Sequence, residues 1–545
     1  MEDDTVDHEA QDPRWPLELR LIVEKTLPDV ASRLRYLCET GIGYLTLDRS
    51  SRTLSGGEYQ RARLASALAS PSAGALYILD EPTCGLHPRD TGRILESLQR
   101  LRDAGATVIV VEHDGDVMRQ ADWLVDLGPG AGRDGGQLLF AGPPAAATAD
   151  AQSPTGEYLR SLAAESPGEL QWTGPRRSGG CPRDAALDEP ALTIRGARKH
   201  NLQNLTVRIP LQKLVCVTGV SGSGKSSLIR ETLLPVAKAV LRDVDAADRR
   251  SAPSVGSGEA SARADRLQAV CTVAKCDTVD GLEAIRRVVS FQDAVVGSSP
   301  RSCVATLCGL WPEMRRLFAR TREARAKGLR AADFSFSSGS GRCSQCRGTG
   351  QLSIRMRLLP ETVVVCPACR GRRLSPATDA IRFRGLSAAD VLELRLDEAA
   401  GFFREFSRMH GVLSTFCRLG LGYLALGQPA TTFSGGERQR IRLACELAEP
   451  SLQPTLFLLD EPTGGLHPFD VSRLLNHLRE LVAVGHSVVV IEHQVDVMCG
   501  SDWLVDLGPD SAGDGGRICG EGTPSDVAAR GVSATAIVLR RRFGL

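Results

Sequence analysis

The chain has 545 residues, 42% of them apolar, and its 66 Lys+Arg nearly cancel 65 Asp+Glu. Those figures describe a globular chain of three or four domains of roughly 100–200 residues each. They exclude other classes: no apolar run reaches the ~18–20 residues of a membrane helix, Met1-Glu-Asp-Asp4 lacks the order of a signal peptide, and 16 cysteines are too dilute for a disulfide scaffold. A cytoplasmic protein with no membrane segment is expected.

From Leu17 to about Ala141, apolar strands alternate with helical periodicity. Three motifs appear there in order: Leu54-Ser-Gly-Gly-Glu58, Leu76-Tyr-Ile-Leu-Asp-Glu-Pro82 and Val110-Val-Glu-His113. Residues 1–144 are taken as one domain. The stretch 145–190, rich in Ala, Ser, Pro and Gly, reads as a surface connection with one helix near Tyr158 to Ala164. Residues 191–545 form the next domain. In it Leu214-Val-Cys-Val-Thr218 has the pattern of a buried parallel strand, leads into Gly219-Val-Ser-Gly-Ser-Gly-Lys-Ser226, and is followed by a helix from Ser226. A polar insertion at 243–280 is expected to be a loop or partly disordered. A basic insertion at 300–380 follows, and then Phe433-Ser-Gly-Gly-Glu437, Leu456-Phe-Leu-Leu-Asp-Glu-Pro462 and Val490-Ile-Glu-His493. Asp80 and Asp460 are 380 residues apart, as are His113 and His493, so one cassette is present twice. Only the second copy has a phosphate-type loop in this chain, and the first reads as incomplete.

The chemistry of these motifs is nucleotide chemistry. Gly219, Gly222 and Gly224 let the loop amides, with Ser221, Ser223 and Ser227 around them, approach β- and γ-phosphates. A helix N-terminus favours their charge, Lys225 bridges them, and Ser226 offers a hydroxyl to Mg²⁺. A strand ending in Asp460-Glu461 supplies a Mg²⁺-orienting carboxylate and a water-activating base. Each Ser-Gly-Gly-Glu, here Ser55, Gly56 and Gly57 or Ser434 to Gly436, aims amides and a hydroxyl at an anion. A lone match of either kind could be a glycine turn or a helix cap. Together they resemble the ATP-binding-cassette ATPases, an α/β P-loop fold in which the signature of one half closes over nucleotide bound by the other. The resemblance implies that Gln292, in Val288-Val-Ser-Phe-Gln-Asp293, senses Mg²⁺ and the attacking water, and that His493 is a catalytic residue of the same site.

The spacing Cys343-x₂-Cys346-x₁₉-Cys366-x₂-Cys369 suits a closed, structural four-thiolate Zn²⁺ site on a hairpin, and a glycine follows each pair as a tight knuckle requires. Four unrelated thiols are the bland alternative. Around the hairpin, residues 315–373 carry 14 Lys+Arg and 3 Asp+Glu. Such concentration marks either a phosphate-backbone surface or a solvated arginine-rich face. Arg347, Arg355, Arg357 and Arg372 are the DNA candidates.

A cassette ATPase with a zinc hairpin between its loop and its signature resembles the UvrA family. The likeness runs through Gly41-Ile-Gly-Tyr-Leu-Thr-Leu47, Gly85-Leu-His87, His200-Asn-Leu-Gln-Asn-Leu205, Pro300-Arg-Ser302, Gly341-Arg-Cys343 and Leu421-Gly-Tyr-Leu-Ala-Leu-Gly-Gln428. The resemblance implies ATP-controlled binding of damaged double-stranded DNA in nucleotide excision repair, with homodimerisation and cofactors ATP, Mg²⁺ and Zn²⁺. It also implies one complete composite site: Gly219 to Ser227, Gln292, Asp460, Glu461 and His493, faced by Ser55, Gly56 and Gly57. Asp80, Glu81, His113 and Ser434 would belong to a second site with no loop of this chain to grip phosphate. A partner chain supplying that loop is conceivable on this reading, and docking to UvrB is doubtful because its domain would fall in the part not seen before Leu17. Two other readings stand beside it: a UvrA-like drug-tolerance or regulatory DNA-binding protein not coupled to UvrB, and a non-functional or split fragment.

Overall fold

The computed structural model describes residues 16–51, 54, 56–69, 73–130, 132, 135–150, 153–163, 189–248, 268–291, 299, 301–354, 362–448, 453–510 and 514–545. The chain divides into two compact units, one of residues 1–124, 140–284 and 489–545, the other of residues 125–139 and 285–488.

In the first unit, strands Leu76–Asp80 and Thr107–Val111 run parallel, Leu76 opposite Thr107 and Asp80 opposite Val111, joined through helix Pro88–Asp103. Side chains alternate across such strands. Tyr77, Leu79, Val108 and Val110 therefore share one face and pack with Leu64, Leu68, Ile94, Leu98 and Leu101 of the helices. The other face stays open: Leu76, Ile78, Ile109 and Val111 are 57%, 69%, 49% and 49% exposed. Their counterparts 380 residues on, Leu456, Leu458, Val489 and Ile491, are at most 4% exposed.

The same unit holds the phosphate-loop strand Leu214–Gly219, which is buried at every position and pairs in parallel with Trp503–Gly508, Thr218 lying opposite Asp506. Helices Pro524–Arg530 and Ala534–Phe543 cover it through a core of Cys216, Met498, Leu504, Val527, Ala536 and Leu539. After the loop the chain enters a wide π-type turn, Ser227–Leu233, that continues as an α-helix to Asp248.

Two sequence expectations change here. The connection at 145–190 carries helices Pro144–Ala147 and Pro154–Ala163, whose Ala147 and Leu159 are buried. Small and apolar residues at helical spacing pack against the unit despite a linker-like composition; residues 164–188 lie outside the described part. The polar insertion at 243–280 is also ordered where described: the helix runs on to Asp248, residues 268–274 are helical with Cys271 and Ala274 buried, and strand Thr278–Asp280 pairs antiparallel with Ala191–Ala197.

In the second unit, strand Thr455–Asp460 runs parallel to Arg287–Ser290, and helix Gly435–Ala448 follows the second signature. Phe318, Phe334 and Phe336 are fully buried in the basic insertion, Phe318 stacking on Phe334 at 5.6 Å and Trp311 tilted on Phe336 at 5.1 Å. The insertion also carries the antiparallel hairpin Gln351–Ile354 with Thr362–Val365. Among the described residues no helix is long and apolar enough to cross a membrane.

Candidate nucleotide site and cysteine cluster

The loop after Thr218 is built by its glycines. Gly219, Gly222 and Gly224 have φ of +133°, +76° and +103°, which side chains rarely adopt. A Cβ on Gly219 would also meet the Leu507 carbonyl oxygen at 1.9 Å. Lys225 is 6% exposed, and its ammonium donates to the Gly219 and Val220 carbonyls at 2.9 and 2.8 Å, lying over the turn. Ser226 caps the helix without using its side chain, and Ser227 opens it. The hydroxyls of Ser221 and Ser223 are buried and find no protein partner among the described residues. Buried orphan hydroxyls in a cationic glycine loop fit a ligand rich in acceptor oxygens, which is what a nucleotide phosphate offers.

His493 lies in the same unit, 5% exposed, and its imidazole is held well below its ordinary range by burial, with Lys225, His87 and Arg61 pressing the same way. It is neutral at pH 7, and its Nδ1 is buried without a partner among the described residues. The glutamate before it has a structural role that the sequence reading missed. Glu492 accepts from the backbone N–H of His493 at 2.9 Å and of Gln494 at 3.3 Å, fixing the turn that aims the ring. Glu112 does the same for His113 and Asp114.

The first repeat sends a segment to this loop. His87 caps helix Pro88–Asp103, is fully buried, and meets the His493 ring edge-on at 6.1 Å. Three residues on, the Asp90 carboxylate accepts from the Ser221 backbone N–H at 3.5 Å, and Arg89 pairs with Asp510 at 2.9 Å. Gly56 and Gly57 open the signature helix Gly56–Ala69 of the same unit, whereas Ser55 lies outside the described residues.

Asp460 and Glu461 end strand Thr455–Asp460 in the other unit; Gln292 lies outside the described residues. Glu461 and its counterpart Glu81 both have φ of +47°, a left-handed conformation costing on the order of 1–3 kcal/mol in a non-glycine residue and concentrated at functional sites. Burial raises the Glu81 carboxyl above its usual range, with Asp80 and Glu112 adding and His113 opposing. In both repeats a glutamine of the signature helix is tied to the strand end: Gln60 donates to the Asp80 carbonyl and Gln439 to that of Asp460. Tyrosines also brace each signature, Tyr44 donating to Glu58 at 2.6 Å and Tyr423 to Glu437 at 2.5 Å. The Gly-Tyr-Leu triplet ahead of each signature was the available signal.

The four cysteines converge as their spacing predicts. Their Sγ atoms lie within 4.8 Å of one another, with Cys343 to Cys366 at 3.9 Å and Cys346 to Cys369 at 3.6 Å. A tetrahedron with Zn–S near 2.3 Å has edges of about 3.8 Å, so the donor set fits zinc. Knuckle geometry explains the flanking sequence: Arg347, Gly348, Arg370 and Gly371 all have positive φ, and a Cβ on Gly348 would strike the Phe336 carbonyl oxygen at 1.7 Å. Burial disfavours ionisation of Cys346, yet the amides of Gly350 and Gly348 outweigh it and bring the thiol down to about 7. Burial and the neighbouring thiols push Cys369 the other way, so the cluster resists full ionisation without a cation.

The arginine candidates separate. Arg347 is exposed beside a knuckle, and Arg355 and Arg357 lie outside the described residues. Arg372 is 31% exposed, and its guanidinium donates to Asp379, Ser387 and Asp390, so it also braces the insertion. The two carboxylates drive the arginine above its ordinary pKa; burial alone would raise Asp390, but the Ser387 backbone N–H and the Arg372 guanidinium hold it down at about 2.

No family model matches the chain. It is 43% identical over 533 residues to UvrABC system protein A of Thermus thermophilus, covering 95% of this chain and 52% of that protein. It is 42% identical over 525 residues to UvrABC system protein A of Mycobacterium tuberculosis, covering 96% and 50%. Its structure matches the crystal structure of UvrA2 from Deinococcus radiodurans with a TM-score of 0.82 at 40% identity, covering 98% of this chain and 60% of that one. The fold is therefore the α/β P-loop fold of the ATP-binding-cassette type, present as two repeats with a cysteine-hairpin insertion. The chain is a homologue of UvrABC system protein A, and it spans about half the length of the curated relatives it matches.

Proposed function

We propose that this chain binds and hydrolyses ATP and couples that cycle to binding double-stranded, damaged DNA in nucleotide excision repair. The observation that carries the reading is the phosphate loop with its buried, partnerless Ser221 and Ser223 hydroxyls and a first-repeat segment, His87 to Asp90, seated on it. Likeness to proteins named for the UvrABC system supports the repair context.

In this reading Gly219 to Ser227 cradle the phosphates and Lys225 neutralises them. Ser226 and Asp460 are ligands of Mg²⁺, Glu461 deprotonates or orients water, Gln292 senses Mg²⁺ and that water, and His493 faces the γ-phosphate. Ser55, Gly56 and Gly57 supply the signature contact. Cys343, Cys346, Cys366 and Cys369 hold a structural Zn²⁺, and Arg347, Arg355 and Arg357 meet the DNA backbone. The open face of Leu76, Ile78, Ile109 and Val111 supports association with a further polypeptide segment, since a contiguous exposed apolar patch marks an interaction site. Homodimerisation and work alongside UvrB belong to the same proposal.

Each neutralised phosphate releases counterions, steepening log K against log salt by about 0.9 for duplex DNA. The double variant Arg355→Glu, Arg357→Glu is therefore expected to weaken binding of a lesion-bearing duplex and flatten the salt slope by about 1–2. Affinities measured over a salt series with and without ATP check it. An unchanged slope removes the hairpin from the DNA surface.

A further inference from the structure

The first-repeat segment does not rest on the phosphate loop alone. His87 Nδ1 accepts from the Arg89 backbone N–H at 3.1 Å, which places the ring proton on Nε2, and Nε2 lies 3.1 Å from Thr535 Oγ1. The Thr535 hydroxyl has an acceptor of its own, Asp506 Oδ1 at 2.7 Å, while Ser533 donates to Asp506 Oδ2 at 2.5 Å. The chain thus runs in one direction: His87 donates to Thr535, and Thr535 donates to Asp506. All three residues are at most 1% exposed, where a broken hydrogen bond leaves a group unsatisfied and is costly.

The far end of this relay is the phosphate loop itself. Asp506 sits opposite Thr218 on the neighbouring strand, and the next residue, Leu507, presses its carbonyl on Gly219, where the loop begins. Lys225 acts electrostatically on both Asp506 and His87. Thr535 belongs to the first turn of helix Ala534–Phe543, capped by Ser533, an element with no nucleotide motif. The arrangement recurs in the sequence: Asp126, Ser153 and Thr155 stand 380 residues before Asp506, Ser533 and Thr535. A Ser-x-Thr cap kept with its aspartate in both repeats indicates a device rather than an incidental contact.

We propose that Thr535 is a positioning residue for ATP turnover. Backed by Asp506, its hydroxyl fixes the His87–Asp90 segment of the first repeat against the phosphate loop of the second, so the C-terminal helix helps set the geometry in which ATP is cleaved. Phosphate entering the loop competes with Asp90 for the Ser221 amide, and the Thr535 anchor determines how far the segment yields. This inference rests on the ATPase reading above.

Thr535→Val keeps the side-chain volume but neither accepts from His87 nor donates to Asp506, and Thr535→Ser keeps both bonds. Small misplacements of reacting groups cost about 10- to 100-fold in rate, so Thr535→Val is expected to lower kcat at least about tenfold with KM for ATP within about threefold, and Thr535→Ser to restore it. Hydrogen–deuterium exchange supplies a readout independent of turnover: Thr535→Val should speed exchange of the Arg89 amide, which donates to His87. A wild-type kcat in Thr535→Val, or an equal loss in both variants, overturns the proposal. If the wild-type chain hydrolyses no ATP, the ATPase reading fails, and unchanged Arg89 exchange in Thr535→Val then overturns the anchor as well.

Discussion

His87 shows how one residue can be read for pH. Burial lowers its pKa from the ordinary 6.5 to about 4, with Lys225 and Arg89 adding and Asp90 opposing. The folded chain therefore refuses a proton that the unfolded chain accepts, and the stability involved is intact above pH 6.5 and lost as pH falls toward 4. At pH 5 the loss amounts to about 2 kcal/mol, at 1.4 kcal/mol per pKa unit. Denaturant unfolding at pH 7.5 and pH 5 should show wild type losing about 2 kcal/mol more than His87→Gln. Equal losses would mean that the histidine is not buried neutral. His493 adds to the same trend in both proteins, and His87→Gln also removes the push that His87 exerts on it.

At the scale of elements, the cysteine knuckles and the phosphate loop were legible because each residue answers a local geometric demand. Gly348 and Gly371 have φ of +88°, Gly224 has +103°, and a four-thiolate spacing has few other uses. Elements defined by distant partners were not legible. The His87 to Thr535 contact spans 448 positions, and Arg372 finds Asp379 and Asp390 only after the chain turns back at helix Pro376–Asp379. Helix Pro154–Ala163 was half recovered: its composition reads as linker, and only the packing of Leu159 makes it core. The knuckles carry their own prediction. One zinc per chain is expected by metal analysis, and Cys366→Ser should lose it and destabilise the hairpin, since structural zinc contributes folding energy directly. Full zinc in that variant would contradict the four-thiolate site.

For the whole molecule, the two repeats share motifs but differ in how their strands are buried. The second has its loop strand packed at every position, whereas the first exposes Leu76, Ile78, Ile109 and Val111. Glu81 and Glu461 nonetheless share φ of +47° and end equivalent strands, so backbone geometry alone does not distinguish them. The distinction is chemical: Glu461 stands in the repeat that carries a phosphate loop in this chain. The most direct test is ATP hydrolysis and ATP binding by the 545-residue chain with each glutamate replaced in turn. Loss of a catalytic base costs on the order of 10²- to 10⁴-fold, so Glu461→Gln should stop turnover while ATP stays bound, and Glu81→Gln should stay within about threefold of wild type. If Glu81→Gln halts hydrolysis while Glu461→Gln turns over normally, the assignment of the working site to the second repeat is wrong.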